Sequence, residues 1–303
     1  MRIAKFFVIF FGIVSTLVFS DKNFAQTAGN ATVELMKYTL PAPNERAKFY
    51  KVLDKVLPAR KLKKANICDE TDAVQLRLLN EYGAIFVIGN GVVPPPVCIF
   101  TTAEAVEKYQ QGIFKAAAEI EKTHIELQTV AMQEYLKARE EALQKNLDIT
   151  PRGGSEAARR SFEDTVRLWK SRFEPACEHR LKEGRLTAAQ VEELRKLPLK
   201  EQVGAVLALE KQGIYFNTYF NNSILYSVAA PGASQHLSML ALDVAQFDNE
   251  DVRKILAKHG WFRTVQSDTP HFTFLGHRES QLKKFGLKKI ETEDGEFWIP
   301  DTE

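Results

Sequence analysis

The sequence predicts an α+β protein in which a mainly helical N-terminal domain precedes a small antiparallel sheet with flanking helices. Three observations lead there. Apolar residues recur every three or four positions through much of the first half, short β-rich runs separated by turn residues dominate the second, and the breaker Pro151-Arg152-Gly153-Gly154 marks the change. At 303 residues, 45% of them apolar, the chain is long enough for one substantial core and a smaller satellite.

Arg2 and Lys5 precede an uncharged, weakly polar run over 6–20, and polar sequence resumes at Asp21. That is the layout of a cleavable export signal over 1–25, with Ser20 and Ala25 as small residues before alternative cuts. The run of about 15 residues falls short of the roughly 20 that a bilayer-crossing helix needs, so no stable membrane span is expected after cleavage.

The helical domain is placed at 30–146. Phe49, Val52, Leu53 and Val56 share a helical face within 45–57, and a second helix is expected over 71–82. Gly83 ends it, and 84–88 reads as a strand of a short hairpin before the turn at Gly89-Asn90-Gly91 and the Pro94-Pro95-Pro96 block. From 102 to 146 the sequence reads as one long charged helix, capped by Thr101 or Thr102.

The second domain, 147–303, opens with a helix over 155–183 and another capped by Thr187 with Gln190 three residues on. Strands are expected at 223–228, 240–245, 262–265 and 271–275, with a helix capped by Asp248 ending near Gly260. A hairpin turning at Asp294-Gly295 closes the chain.

Forty-one basic and 39 acidic side chains leave a formal charge of +2, so no net field favours nucleic acid as a partner. Three cysteines are too few for a disulfide scaffold and have no zinc-ribbon spacing. Cys68 and Cys98 flank one compact segment; they are either a disulfide that leaves Cys177 free or small buried side chains.

Of six histidines, four lie in charged helical or terminal sequence. His236, however, precedes Asp243 by seven residues at the start of a strand, and Asp268 precedes His271 by three. Two imidazoles, one carboxylate ligand and one carboxylate to spare are the inventory of a catalytic zinc site with an open water position. Spacing alone favours satisfied core histidines over ligands.

The intervening residues add specificity. Pro231-Gly232-x-Ser234-x-His236-x-x-x-x-Ala241-x-Asp243 resembles the S-x-H-x-x-G-x-A-x-D signature of the zinc D-alanyl-D-alanine carboxypeptidases of the VanY type. Gly260-Trp261-Phe262 and then Asp268-x-Pro270-His271-Phe272 resemble that family's G-F stretch and its E-x-W-H-F motif, and the likeness covers about residues 147–276.

The resemblance implies a zinc-peptidase core with His236, Asp243 and His271 as Zn2+ ligands, Asp268 as general base for the water, and Ser234 near the substrate. It also implies an arginine that holds the substrate carboxylate; Arg152 is the candidate, with Arg159 or Arg160 as alternatives. The implied substrate is a peptidoglycan stem peptide in the periplasm or cell envelope. Two positions depart from the pattern: Met239 replaces the motif glycine and threatens to narrow the cleft, and Asp268 is one methylene shorter than glutamate. A zinc-containing wall-peptide binder without turnover is therefore the alternative. Ser280-x-x-Lys283 matches a serine-peptidase pattern but lacks its K-T-G companion, and the 102–146 helix makes a scaffold role a third option.

Overall fold

The computed structural model describes residues 46–303, so the expected export signal and the leader to residue 45 lie outside the described residues. Helix α1 (Lys48–Ala59) buries Phe49, Tyr50, Leu53 and Leu57 along one stripe. The short α2 (Lys64–Ile67) leads to Cys68, which is disulfide-bonded to Cys98 with a Cα–Cα distance of 5.4 Å. Cys177 is free and buried. The Asp72 carboxylate caps α3 (Ala73–Tyr82) by accepting from the amides of Val74 and Gln75. The run after it, Gly83–Val87, is a fully buried 3-10 turn and not the expected strand. A short apolar run has no period that separates the two.

The expected helix over 102–146 is two helices with a hairpin between them. Helix α4 (Ala103–Gln111), capped by Thr102, ends at Gly112. An antiparallel hairpin, β1 (Lys115–Ile120) with β2 (Thr123–Gln128), follows, and then α5 (Thr129–Leu143). The hairpin turns on Glu121 and Lys122 with φ of 49° and 66°, the left-handed pair of a two-residue turn, though neither residue is glycine or asparagine. Its ordering force lies elsewhere in the chain: Ile125 and Leu127 alternate into the core at 0% exposure, while Ala, Glu and Lys in β1 locally favour a helix.

Helix α6 (Phe162–Lys182) starts at a reciprocal Ser161/Asp164 capping box, and α7 (Ala188–Lys196) starts at the Thr187/Gln190 box that its sequence predicts. Helix α8 (Leu199–Glu210) follows. The segment expected as a strand at 223–228 is instead a 3-10 turn, Ile224–Tyr226. A second 3-10 turn, Gln235–Ser238, leads directly into β3 (Ala241–Asp243). Helix α9 (Glu250–Lys258) is capped by Asn249, one residue after the expected Asp248. Strands β4 (Trp261–Phe262) and β5 (His271–Phe274) complete an antiparallel sheet in the order β3-β5-β4. After a 3-10 turn, Glu279–Phe285, which carries Ser280 and Lys283, β6 (Leu287–Thr292) and β7 (Gly295–Pro300) form the expected C-terminal hairpin.

The result is a mixed helix-and-sheet architecture with small antiparallel sheets. One apolar core joins α1, the β1–β2 hairpin, α5, the central sheet and α9; a second joins α3, α6, α7 and α8. Phe49 and Trp298 belong to the same core, so the change of local pattern near residue 147 does not divide it. The described residues all fall in one compact unit. Gly232 shows how tightly the layers meet: with φ of 77°, it holds the Phe100 carbonyl oxygen 1.9 Å from where a Cβ would stand. No other residue fits there without moving that backbone.

Candidate metal centre

The central sheet places two of the three candidate ligands by register. Asp243 and His271 are paired directly across β3 and β5, so both side chains leave the same face, which Ala241 and Thr273 also share. Leu242, Phe272 and Phe274 take the other face into the core. His236 arrives from the Gln235–Ser238 turn, which is closed by the next residue, Met239, with φ 55° and ψ 32°. This is the left-handed conformation for which glycine is favoured, so Met239 keeps the turn at some strain. Its side chain is fully buried and does not line the cavity, so the expected narrowing of the cleft does not occur.

The three ligand atoms form a compact triangle. His236 Nε2 lies 3.0 Å from His271 Nδ1, and Asp243 Oδ1 lies 3.3 and 3.4 Å from those two nitrogens. A tetrahedral zinc site with bonds of about 2.05 Å has ligand–ligand separations of about 3.3 Å. The remaining polar atoms of these side chains are engaged elsewhere. His236 Nδ1 is 3.3 Å from the Ala158 carbonyl, to which it donates, and Asp243 Oδ2 accepts from Arg160 Nη2 at 2.7 Å. Asp243 Oδ1 is buried and has no hydrogen-bond donor among the described residues. An orphaned carboxylate oxygen beside two imidazole nitrogens is costly unless a cation satisfies it. The donor set fits a divalent metal ion, and His236, Asp243 and His271 are the group that can hold it.

Electrostatics agree with that role. Burial, helped by the nearby Arg160 charge, brings His236 down to about 4, so the imidazole is neutral as a ligand must be. Burial pushes the Asp268 carboxyl up to about 6, against the opposing pull of His271. Asp268 and Ser234 both line the cavity of about 170 Å³ into which the trio opens. A larger cavity of about 460 Å³ between α3 and α8 holds Arg77 and Glu210 but no set of three metal-ligating side chains.

Arg152 stands apart from the cavity lining. Its amide donates to the Asp243 carbonyl at 2.8 Å, but its guanidinium is exposed and stacks on the Phe247 ring, 5.1 Å from the centroid. Arg159 is engaged by Gln110 and Glu126. The arginines that do line the cavity are Arg160, already paired with Asp243, and Arg172 from α6. Arg172 has no carboxylate partner among the described residues; its Nη1 donates to Ser171 Oγ at 2.9 Å and its buried Nε has no acceptor. Nothing in the local sequence distinguishes Arg172 from the other charges of its helix. Ser280 and Lys283 are not among the cavity residues, and the buried Cys177 thiol is pushed up to about 12, too high for a nucleophile. Compared with known proteins, the chain matches no family model and no curated protein.

Proposed function

We propose that this protein is an exported zinc-dependent peptidase that removes the terminal residue from peptidoglycan stem peptides ending in D-alanyl-D-alanine. The observation that carries the reading is the joint presence, in one cavity, of a His-Asp-His triangle with an unpartnered carboxylate oxygen and a separate carboxyl held near 6. Two nitrogens and one oxygen at tetrahedral spacing suit zinc better than the oxygen-seeking magnesium or calcium. The Cys68–Cys98 disulfide supports an oxidising compartment. Among the described residues no helix is long and apolar enough to cross a membrane.

When bound, zinc supplies the Lewis acidity that activates a water and polarises the scissile carbonyl. Asp268, ionised above pH 6 and not paired to any cation at ion-pair distance among the described residues, takes the proton of the attacking water. The same carboxyl returns it to the leaving amine, so no covalent intermediate forms. Arg172 offers its free guanidinium edge to the terminal carboxylate, a role that the exposed Arg152 is less well placed to fill. Arg160 holds Asp243 Oδ2 and leaves Oδ1 as the oxygen that would hold the metal.

The test is mass analysis of products from purified muropeptides, with and without a chelator, for wild type and Asp268→Asn. Loss of one terminal D-alanine, abolished by the chelator and by the substitution while zinc content is retained, supports the peptidase. Bound zinc with no cleavage of any wall fragment overturns it in favour of a wall-peptide binder.

A further inference from the structure

Gln235, between the cavity serine and the first ligand, is absorbed by neither the metal triangle nor the chemistry above. It is 4% exposed, and both ends of its amide are hydrogen-bonded. Nε2 donates to the Tyr82 carbonyl at 2.9 Å. A carbonyl oxygen can only accept, so this bond sets which end of the amide is which. Oε1 therefore faces the other way, where it lies 2.8 Å from His271 Nε2 and accepts from Thr273 Oγ1 at 2.5 Å. An amide oxygen likewise only accepts, so His271 must carry its proton on Nε2. That leaves the Nδ1 lone pair directed at His236 Nε2 and Asp243 Oδ1, where a ligand nitrogen is needed.

We infer that Gln235 is a positioning residue that locks His271 in its metal-ligating tautomer and ties that tautomer to the end of helix α3 through the Tyr82 carbonyl. Ligating histidines generally need an acceptor on the second ring nitrogen, and here a side-chain amide takes that place. The chain of bonds runs from Tyr82 through Gln235 to His271, so α3, which carries no ligand, helps set metal affinity. Tyr82 itself is held by its hydroxyl, which donates to the Leu225 carbonyl at 3.0 Å on the same cavity wall. The inference rests on metal binding by the trio but not on peptidase activity, so zinc affinity alone can test it.

Three readouts separate positioning from packing. Long-range nitrogen–proton correlation spectra of the metal-free wild-type chain should show the His271 proton on Nε2; a proton on Nδ1 overturns the inference without any variant. Zinc affinity, measured by competition with a chromophoric chelator, should fall about 10–100-fold in Gln235→Met, which keeps the length and removes the acceptor. Gln235→Glu keeps an acceptor for His271 but loses the donor to the Tyr82 carbonyl, so its loss of zinc affinity should be smaller than that of Gln235→Met. Thr273→Val removes another donor to the same oxygen and a hydroxyl 3.4 Å from His271 Nε2, but spares the shorter Gln235–His271 bond, so it should lower the melting temperature and cost less zinc affinity than Gln235→Met. Equal affinity losses in Gln235→Glu and Gln235→Met, or in Thr273→Val and Gln235→Met, overturn the inference, as does unchanged affinity in Gln235→Met.

Discussion

Asp268→Asn removes a charge and almost no volume, which makes it a direct probe of the cavity's electrostatics as well as of catalysis. In the metal-free protein the Asp268 carboxyl titrates at about 6, against an ordinary 3.8, because burial disfavours its charge. A folded-state value raised in this way means that the folded state binds the proton more tightly than the unfolded chain. The associated stability is fully present below about pH 4 and is lost as pH rises through 6. By pH 8 the loss is about 3 kcal/mol, reduced to about 2 by the solvent that still reaches this partly buried side chain. The asparagine variant has no such proton to lose. It should therefore match wild type at pH 4 and exceed it by about 2 kcal/mol at pH 8, as measured by urea unfolding in chelator-treated buffer. His236, which burial holds near 4, weakens both proteins alike on the acid side and cancels in the difference. Zinc should shrink the gain, since a nearby dication favours the carboxylate. A difference between variant and wild type that is flat from pH 4 to pH 8 would refute the claim that Asp268 is a strained acid.

Two further substitutions test the site's frame and its reach. Met239→Gly relieves a left-handed strain of about 1 kcal/mol but forfeits a fully buried side chain, typically 2–5 kcal/mol, and loosens the unfolded chain. We expect a net loss of about 2–4 kcal/mol in urea unfolding with zinc stoichiometry unchanged; a more stable glycine variant would show that position 239 is strained more than it is packed. Arg172→Ala should raise KM about 10–100-fold for a peptide with a free terminal carboxylate, the worth of one charge-assisted bond, and leave the C-terminal amide unaffected. Equal losses on acid and amide would remove Arg172 from carboxylate recognition.

The candidate ligands were legible because metal chemistry restricts residue type and strand geometry restricts spacing. Seven residues from His236 to Asp243 are what a turn followed by a short strand consumes, and the structure places that turn and strand there. The capping boxes were partly legible for the same local reason: the Thr187/Gln190 pair is written within four consecutive residues. The β1–β2 hairpin was not, because its turn lacks glycine and its first strand is built of helix-favouring residues. Only the burial of Ile125 and Leu127 against distant parts of the chain selects it.

What the sequence determined by itself was the chemical inventory: two histidines and two aspartates in strand-forming contexts, a charge balance that gives no pull toward nucleic acid, and helix starts set by local caps. The tertiary structure alone decided which of the many arginines faces the cavity, that Cys68 meets Cys98 across 30 residues of sequence, and that the Gln235 amide oxygen meets His271 Nε2. The division has one physical cause. Ligand identity and capping are short-range properties of a few neighbouring residues, whereas the direction of a guanidinium and the partner of a buried amide depend on how separate helices and strands pack.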